Sequence, residues 1–233
     1  MAGPFLYVAL DGLFKRERET LEIAERLSRE EGPFGFKANL SYLLKRGLEG
    51  LTSAVKEVQQ FKRPVFTDLK MWNGTGTMRD IVEMLIDLGV DHFNVYALAD
   101  DLIPGAIRAT EGSKTKALGL TVLTHFTEEY CQRWFKRSLR ETVRFSAEVA
   151  LERGCHGIIL PGTTLDVVQG LSTDKVVPGV RPEGYPKDAR HAQEVTPQEA
   201  VRGDANILVC GGPIMKEEDP VAALRKILSE MKG

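Results

Sequence analysis

Eight short apolar runs, each trailed by a stretch of helical periodicity, constrain this chain more than any other feature of its sequence. They are 5–11 (FLYVALD), 34–39 (FGFKAN), 64–70 (PVFTDLK), 92–97 (HFNVYA), 117–124 (ALGLTVLT), 156–162 (HGIILPG), 175–180 (KVVPGV) and 206–212 (NILVCGG). Runs of this length, rich in β-branched residues, read as strands. Strands alternating with helices predict a parallel sheet. Strands apolar throughout predict burial on both faces. Closing eight of them into a barrel satisfies both conditions and leaves no open edge. The expected fold class is therefore α/β, a single (β/α)8 TIM barrel with outer helices. At 233 residues the chain suits one such barrel, and no linker or low-complexity segment divides it, so residues 1–233 are expected to form one domain.

The helices carry their own punctuation. Ser138 and Glu141 have the spacing of a capping box, in which the hydroxyl meets an orphan N–H and the carboxylate reaches back. Leu139, Val143, Ala147 and Ala150 follow at helical spacing, and Gly154 is the expected stop. Thr196 and Glu199 repeat the device with Pro197 at the first helical position, and Asp219-Pro220 opens the last helix.

Composition excludes several function classes. A net charge of −2 with scattered Lys and Arg gives no electrostatic basis for nucleic-acid binding. No apolar run is long enough to span a membrane, and the N-terminus runs straight into a strand without the features of a signal peptide. Cys131, Cys155 and Cys210 are odd in number and lack CxxC spacing, which argues against a disulfide framework and a zinc site, and Cys155 and Cys210, in or beside apolar strands, are expected to be buried packing residues. His92, His156 and His191 show no metal spacing either. A reducing, cytoplasmic location is the expectation.

In a (β/α)8 barrel, reactive groups sit at the C-terminal ends of strands. Strand ends alone select Asp11, Lys37, Asp68, Lys70, Thr124, His125, Thr127, the 178–181 segment and the 210–213 segment. Asp68 and Lys70 are two apart, which places them on one face of a regular strand. Lys37 belongs to the neighbouring strand, with Asp11 beyond it. The series Asp11, Lys37, Asp68, Lys70 alternates in charge. Buried charges are costly unless paired, so charges at the ends of three apolar strands point to a network with a purpose. A plainer reading is a salt-bridge cluster that only joins strands. Trp72 and Trp134 are expected to pack, although Trp72 has the alternatives of closing a pocket or facing a partner. Gly74-Thr75-Gly76-Thr77 lacks the lysine of a phosphate-binding loop and is expected to be a turn near the site. Segment 181–195 is long and polar, and a lid is expected there.

These residues resemble the orotidine 5'-phosphate decarboxylase family. The resemblance rests on Val8-Ala9-Leu10-Asp11, Phe36-Lys37 and Asp68-Leu69-Lys70, and on the segments 121–124, 177–182, 195–200 and 209–214, all in register across nearly the whole chain. It implies cofactor-free decarboxylation of orotidine 5'-monophosphate to UMP in pyrimidine biosynthesis. It also implies a small-molecule nucleotide or nucleoside-like substrate, and a homodimer with shared active sites. By position, Asp68 is the carboxylate that crowds the reacting group, Lys70 the proton donor, Lys37 the residue orienting the network and Asp11 the contact to ribose. The catalytic candidates are thus Lys37, Asp68, Lys70 and Asn73. The candidates for binding substrate are Asp11, Thr77, Thr127, Pro178, Arg181, Glu183, Gly211 and Gly212.

Three of these positions depart from the family pattern. The family motif D-x-K-x-x-D ends here in Asn73, which keeps the shape of Asp without its charge. Strand 8 ends in Gly211-Gly212-Pro213 where the family places an arginine for phosphate, and Glu183 stands where it has glutamine. The sequence therefore leaves open a divergent paralogue with an altered phosphate site. Such a protein would act on another nucleoside-like carboxylate or bind a ligand without catalysis. A metal-using sugar-phosphate decarboxylase needs a carboxylate cluster, which Asn73 argues against.

Overall fold

The computed structural model describes residues 3–45, 50–186 and 193–232. Its strands are β1 (Phe5–Ala9), β2 (Phe34–Asn39), β3 (Val65–Met71), β4 (His92–Tyr96), β5 (Lys116–Leu120), β6 (Gly157–Ile159), β7 (Asp174–Pro178) and β8 (Ile207–Cys210). Each pairs in parallel with the next, and β1 pairs with β8, so the sheet closes into a barrel. The outer layer holds α1 (Glu17–Ser28), α2 (Leu40–Lys45), α3 (Gly50–Gln59), α4 (Thr75–Asp87), α5 (Ile103–Ile107), α6 (Glu128–Phe135), α7 (Leu139–Glu152), α8 (Pro197–Arg202), α9 (Gly212–Met215) and α10 (Pro220–Glu230). The expected (β/α)8 barrel is the fold.

Strand alternation divides the apolar residues into two cores. Leu6, Val8, Phe36, Val65, Phe93 and Val95 face outward and pack under the helices. Tyr7, Ala9, Phe66, Leu118, Ile159, Val176 and Val209 face inward and fill the barrel. This double use of every strand is why the runs are apolar at consecutive positions. At the N-terminal end Tyr7 packs edge-on against Phe66, with 5.4 Å between ring centroids, and its hydroxyl meets His92 Nδ1 at 2.7 Å. Gly35 leaves room for that tyrosine, because a Cβ there would stand 2.3 Å from the Pro64 carbonyl oxygen and 3.0 Å from the Tyr7 ring.

The helix signals hold. Ser138 with Glu141, and Thr196 with Glu199, form complete capping boxes, and Asp219 caps α10. Gly154, at φ +92°, follows the end of α7. All three cysteines are free and buried, and burial pushes the Cys155 thiol up to about 12. Among the described residues no helix is long and apolar enough to cross a membrane.

Some expectations need correction. The fifth run ends as a strand at Leu120 rather than residue 124, because β6 is three residues long and Leu120 has the last partner, Ile159. Residues 74–77 are the start of α4, with Gly74 as its N-cap, and not a separate turn. Trp72 and Trp134 are 61% and 66% exposed, so neither packs into the core. The segment expected to be a lid lies partly outside the described residues, at 187–192.

Candidate active site

The inward positions change character along the barrel axis. Above Tyr7 and Phe66, the next inward residues are Lys37 on β2, Asp68 on β3 and Asn94 on β4, all buried. Beyond them stand Asn39, Lys70 and Tyr96. The apolar layer thus gives way to a polar one one step before the C-terminal ends of the strands, where barrel sites form.

Asp68 is the centre of the polar layer. Its Oδ2 accepts from Lys37 Nζ at 2.8 Å, and its Oδ1 accepts from Lys70 Nζ at 2.5 Å and from Asn94 Nδ2 at 2.8 Å. Burial alone would raise the carboxyl pKa, but the two ammonium groups outweigh it and hold Asp68 well below the usual carboxylate range. Burial likewise works against the Lys37 charge, and Asp68 with Asp11 overcomes it, so the Lys37 pKa is raised. Both groups are held in their ionised forms.

Asp11 joins the network at its outer edge. Lys37 Nζ stands 3.7 Å from Asp11 Oδ1, and Asn39 bridges the two by donating to Asp11 Oδ1 at 2.7 Å and accepting from Lys37. Gly211 faces this carboxylate closely. A Cβ there would lie 3.0 Å from Asp11 Oδ2 and 3.2 Å from the Ala9 Cβ.

Lys70 follows the polar layer with an irregular backbone. The β3–β4 register runs Thr67 opposite Phe93 and then Met71 opposite Val95, so three residues of β3 stand against Asn94 alone. Within this bulge Lys70 adopts φ +49°. Lys70 and Asp68 share a face as alternation suggested, but through a bulge rather than a regular strand.

These residues line one cavity of about 280 Å3. Asp11, Lys37, Asn39, Asp68, Lys70 and Asn94 form its polar side. Phe66, Leu120, Val122, Leu123 and Ile159 form an apolar side, while Thr124, His125, Pro178, Arg181, Gly211 and Gly212 complete the mouth. A second cavity, of about 520 Å3, adjoins it and shares Asp11, Arg181, Gly211 and Gly212. Lys15, Arg16, Ser41, Tyr185 and Lys216 line the rest of its polar wall. Arg181 is ion-paired with Glu194, and its guanidinium lies 5.4 Å from the Tyr185 ring centre. The Lys216 stem runs beside Gly212, with Cδ 3.8 Å from where a Cβ would be.

Four expected site residues stand apart from the cavity lining. Thr127 caps α6, its hydroxyl oxygen accepting from the Tyr130 N–H. Asn73 is exposed and its side chain accepts from the Gly74 N–H. Thr77 is exposed on α4, and Glu183 is exposed in the turn after Pro182. Asn39 and Asn94 belong to the array and were not among the candidates. Among the described residues no three His, Cys, Asp or Glu side chains converge to hold a metal ion.

A parallel barrel with alternating Lys and Asp groups at the ends of its first three strands is the architecture of an enzyme of the (β/α)8 class. A family model described as "Orotidine 5'-phosphate decarboxylase / HUMPS family" matches residues 4–227. The chain is 29% identical over 234 residues to a protein named orotidine 5'-phosphate decarboxylase from Nautilia profundicola, covering 97% of this chain and 98% of that one. It is 30% identical over 204 residues to one of the same name from Streptococcus pneumoniae, covering 84% and 87%. A crystal structure of orotidine 5'-phosphate decarboxylase from Lactobacillus acidophilus shares the fold, with a TM-score of 0.78 at 24% identity and full coverage of both chains. The chain belongs to the orotidine 5'-phosphate decarboxylase / HUMPS family.

Proposed function

We propose that this protein decarboxylates orotidine 5'-phosphate to UMP, without a cofactor, as a cytoplasmic enzyme of pyrimidine biosynthesis. The observation that carries the reading is the Lys37–Asp68–Lys70 array, with Lys37 and Asp68 buried and Lys70 half-buried, opening into the 280 Å3 cavity. Decarboxylation breaks the bond between a ring carbon and the carboxylate, and the electron pair stays on that carbon. The Asp68 carboxylate, kept ionised by its two lysines, repels the substrate carboxylate in the ground state. The Lys70 ammonium stabilises the developing carbanion and then transfers a proton to it. A preorganised ammonium acts most strongly in a site from which water is excluded, and the apolar side formed by Phe66, Leu120, Val122 and Ile159 supplies that exclusion. Asp11 faces the ribose.

The adjoining cavity takes the phosphate. Gly211 and Gly212 open the passage, and Lys216 and Lys15 stand on its wall without an ion-pair partner among the described residues. Arg181 shares the site but is already engaged by Glu194, so Lys216 is the main cation at this end, beside the glycine that carries no side chain. Pro178 ends β7, and Glu183 lies in the loop that follows it. The chain acts as one barrel domain and as a homodimer, in which exposed Trp72, Asn73 and Thr77 face the second copy. The test is purified protein with orotidine 5'-phosphate, followed by the loss of substrate absorbance. Turnover abolished by Lys70→Ala supports the reading, and an unchanged spectrum over hours at high enzyme concentration sinks it.

A second reading is favoured by Gly212 and by the neutral Asn73. The site would then take a nucleoside-like carboxylate without a phosphate, or bind a ligand without catalysis. Melting temperatures with UMP, uridine and inorganic phosphate separate the readings, since a ligand that binds the native state raises the transition. A larger shift with uridine than with UMP favours the second.

A further inference from the structure

Asn94 is 1% exposed, inward-facing and surrounded by apolar neighbours on its own strand. Its amide makes two contacts, one to each member of the Asp68–Lys70 pair. Oδ1 accepts from the Lys70 backbone N–H at 2.7 Å, and Nδ2 donates to Asp68 Oδ1 at 2.8 Å. We infer that Asn94 is a positioning residue for the reaction, holding the Lys70 backbone in its bulge and the Asp68 carboxylate in the plane that receives the Lys70 ammonium. The inference rests on the proposed decarboxylation for its kinetic arm and on geometry alone for its structural arm.

The bulge makes this role necessary. With Asp68, Leu69 and Lys70 opposite a single β4 residue, the Lys70 N–H leaves the strand ladder. The Asn94 side chain supplies the acceptor that the β4 backbone no longer offers. Lys70 also holds φ +49°, a region that residues with a Cβ occupy only when surrounding contacts over-determine it. The hydrogen bond to Asn94 is such a contact, and the ammonium's bond to Asp68 Oδ1 at 2.5 Å is the second. Lys70 is thus tethered at its backbone and at its tip, and Asn94 touches both tethers.

The chemistry of the contacts selects an amide. One planar group must present an acceptor to an N–H and a donor to a carboxylate oxygen. The network also fixes the amide's orientation, since the reverse would set a carbonyl oxygen against Asp68. An aspartate offers acceptors to both neighbours unless it is protonated. Glutamine is one methylene longer and would carry its amide past the Asp68 and Lys70 contacts that the shorter side chain makes.

The test uses Asn94→Ala and Asn94→Asp in the full-length protein, with crystal structures, melting temperatures and steady-state kinetics below the transition. For Asn94→Ala we expect kcat to fall by about 10²-fold, the scale of a small misplacement of a reacting group, while KM changes by less than about threefold. Lys70 is expected to leave its left-handed conformation, with Nζ beyond about 3.5 Å from Asp68. Asn94→Asp keeps the acceptor for the Lys70 N–H but regains the donor only when protonated. Its kcat should therefore climb as pH is lowered, across a range where the wild type is flat. A purely structural role would lower the melting temperature of both variants and leave kcat and its pH profile unchanged. That result, or a Lys70 that does not move in Asn94→Ala, overturns the inference. If the wild type itself leaves orotidine 5'-phosphate intact, the proposed function fails, and the position of Lys70 in the variant structure alone decides the role of Asn94.

Discussion

Lys37 and Asp68 meet at 2.8 Å across the seam between β2 and β3, each almost wholly withdrawn from solvent. Neither charge would be tolerated there alone, and breaking a buried pair from one side strands the other member. Asp68→Ala leaves Lys37 with Asn39 and the exposed Asp11. The expected cost is about 3 kcal/mol in urea unfolding, together with a loss of turnover of at least about 10³-fold. A variant as stable as the wild type would mean that the pair contributes nothing to joining the strands.

Lys216 tests the phosphate end. In Lys216→Ala the UMP-induced rise in melting temperature should shrink, corresponding to about tenfold weaker binding for the loss of one charge-assisted hydrogen bond. The rise with uridine should stay as it is. Equal shifts with UMP and uridine in the wild type would remove the basis for a phosphate subsite beside Gly212.

Gly211→Ala tests the approach of strand 8 to the first carboxylate. The new methyl would meet Asp11 Oδ2 at 3.0 Å and the Ala9 Cβ at 3.2 Å, so Asp11 must turn away. Overpacking of this kind costs about 1–3 kcal/mol. Most of it should appear as weaker binding of UMP in titration calorimetry, because Asp11 is at the exposed edge of the site. Unchanged affinity would place Asp11 outside the ligand contacts.

His92 sets a pH dependence at the opposite end of the barrel. Burial lowers its pKa from 6.5 to about 4, with Lys116 adding to the effect, so the folded protein holds it neutral. The unfolded chain takes up a proton below pH 6.5 and the folded chain does not. Stability is therefore full above pH 6.5 and declines as pH falls toward 4, by on the order of 3 kcal/mol. Denaturant unfolding between pH 7 and pH 4 should show this slope, and His92→Gln should flatten it. Parallel slopes in the two proteins would assign the acid sensitivity to other groups. Asp68, by contrast, contributes stability above its unfolded pKa of 3.8 that is lost only in stronger acid.

The barrel and the charged half of its site were legible because both arise from short-range rules. Alternation and apolar runs mark the strands, and charges at strand ends in the middle of apolar sequence mark the array. Asn39 and Asn94 escaped notice because neutral amides carry no such contrast. The signal was nonetheless present in HFNVY, where the outward Phe93 and Val95 fix the phase and turn Asn94 inward. The bulge at Lys70 depends on how β3 registers against β4, twenty-odd residues later, and no local pattern encodes that pairing. Trp72 leaves the core for a related reason: it directly follows the bulge, and among the described residues its indole keeps a tilted contact with Tyr96 at 6.3 Å while 61% of the residue is exposed. Lys216 follows Gly212 at i+4 and closes the single turn of α9, its N–H donating to the Gly212 carbonyl at 3.1 Å; a four-residue helix that opens on Gly-Pro carries too short a pattern to mark that turn in the sequence.

Closure of the sheet sets Phe5 opposite Ile207 and Val8 opposite Cys210, partners separated by about two hundred residues. Contacts of such long sequence separation form late, because the intervening loop must be ordered first. Asp11 and Gly211 flank that final seam. During synthesis, Lys37, Asp68 and Lys70 leave the ribosome well before the eighth strand does. A nascent chain thus carries its reactive charges long before it owns a cavity to enclose them, and a ligand can stabilise this protein only after the last strand has arrived.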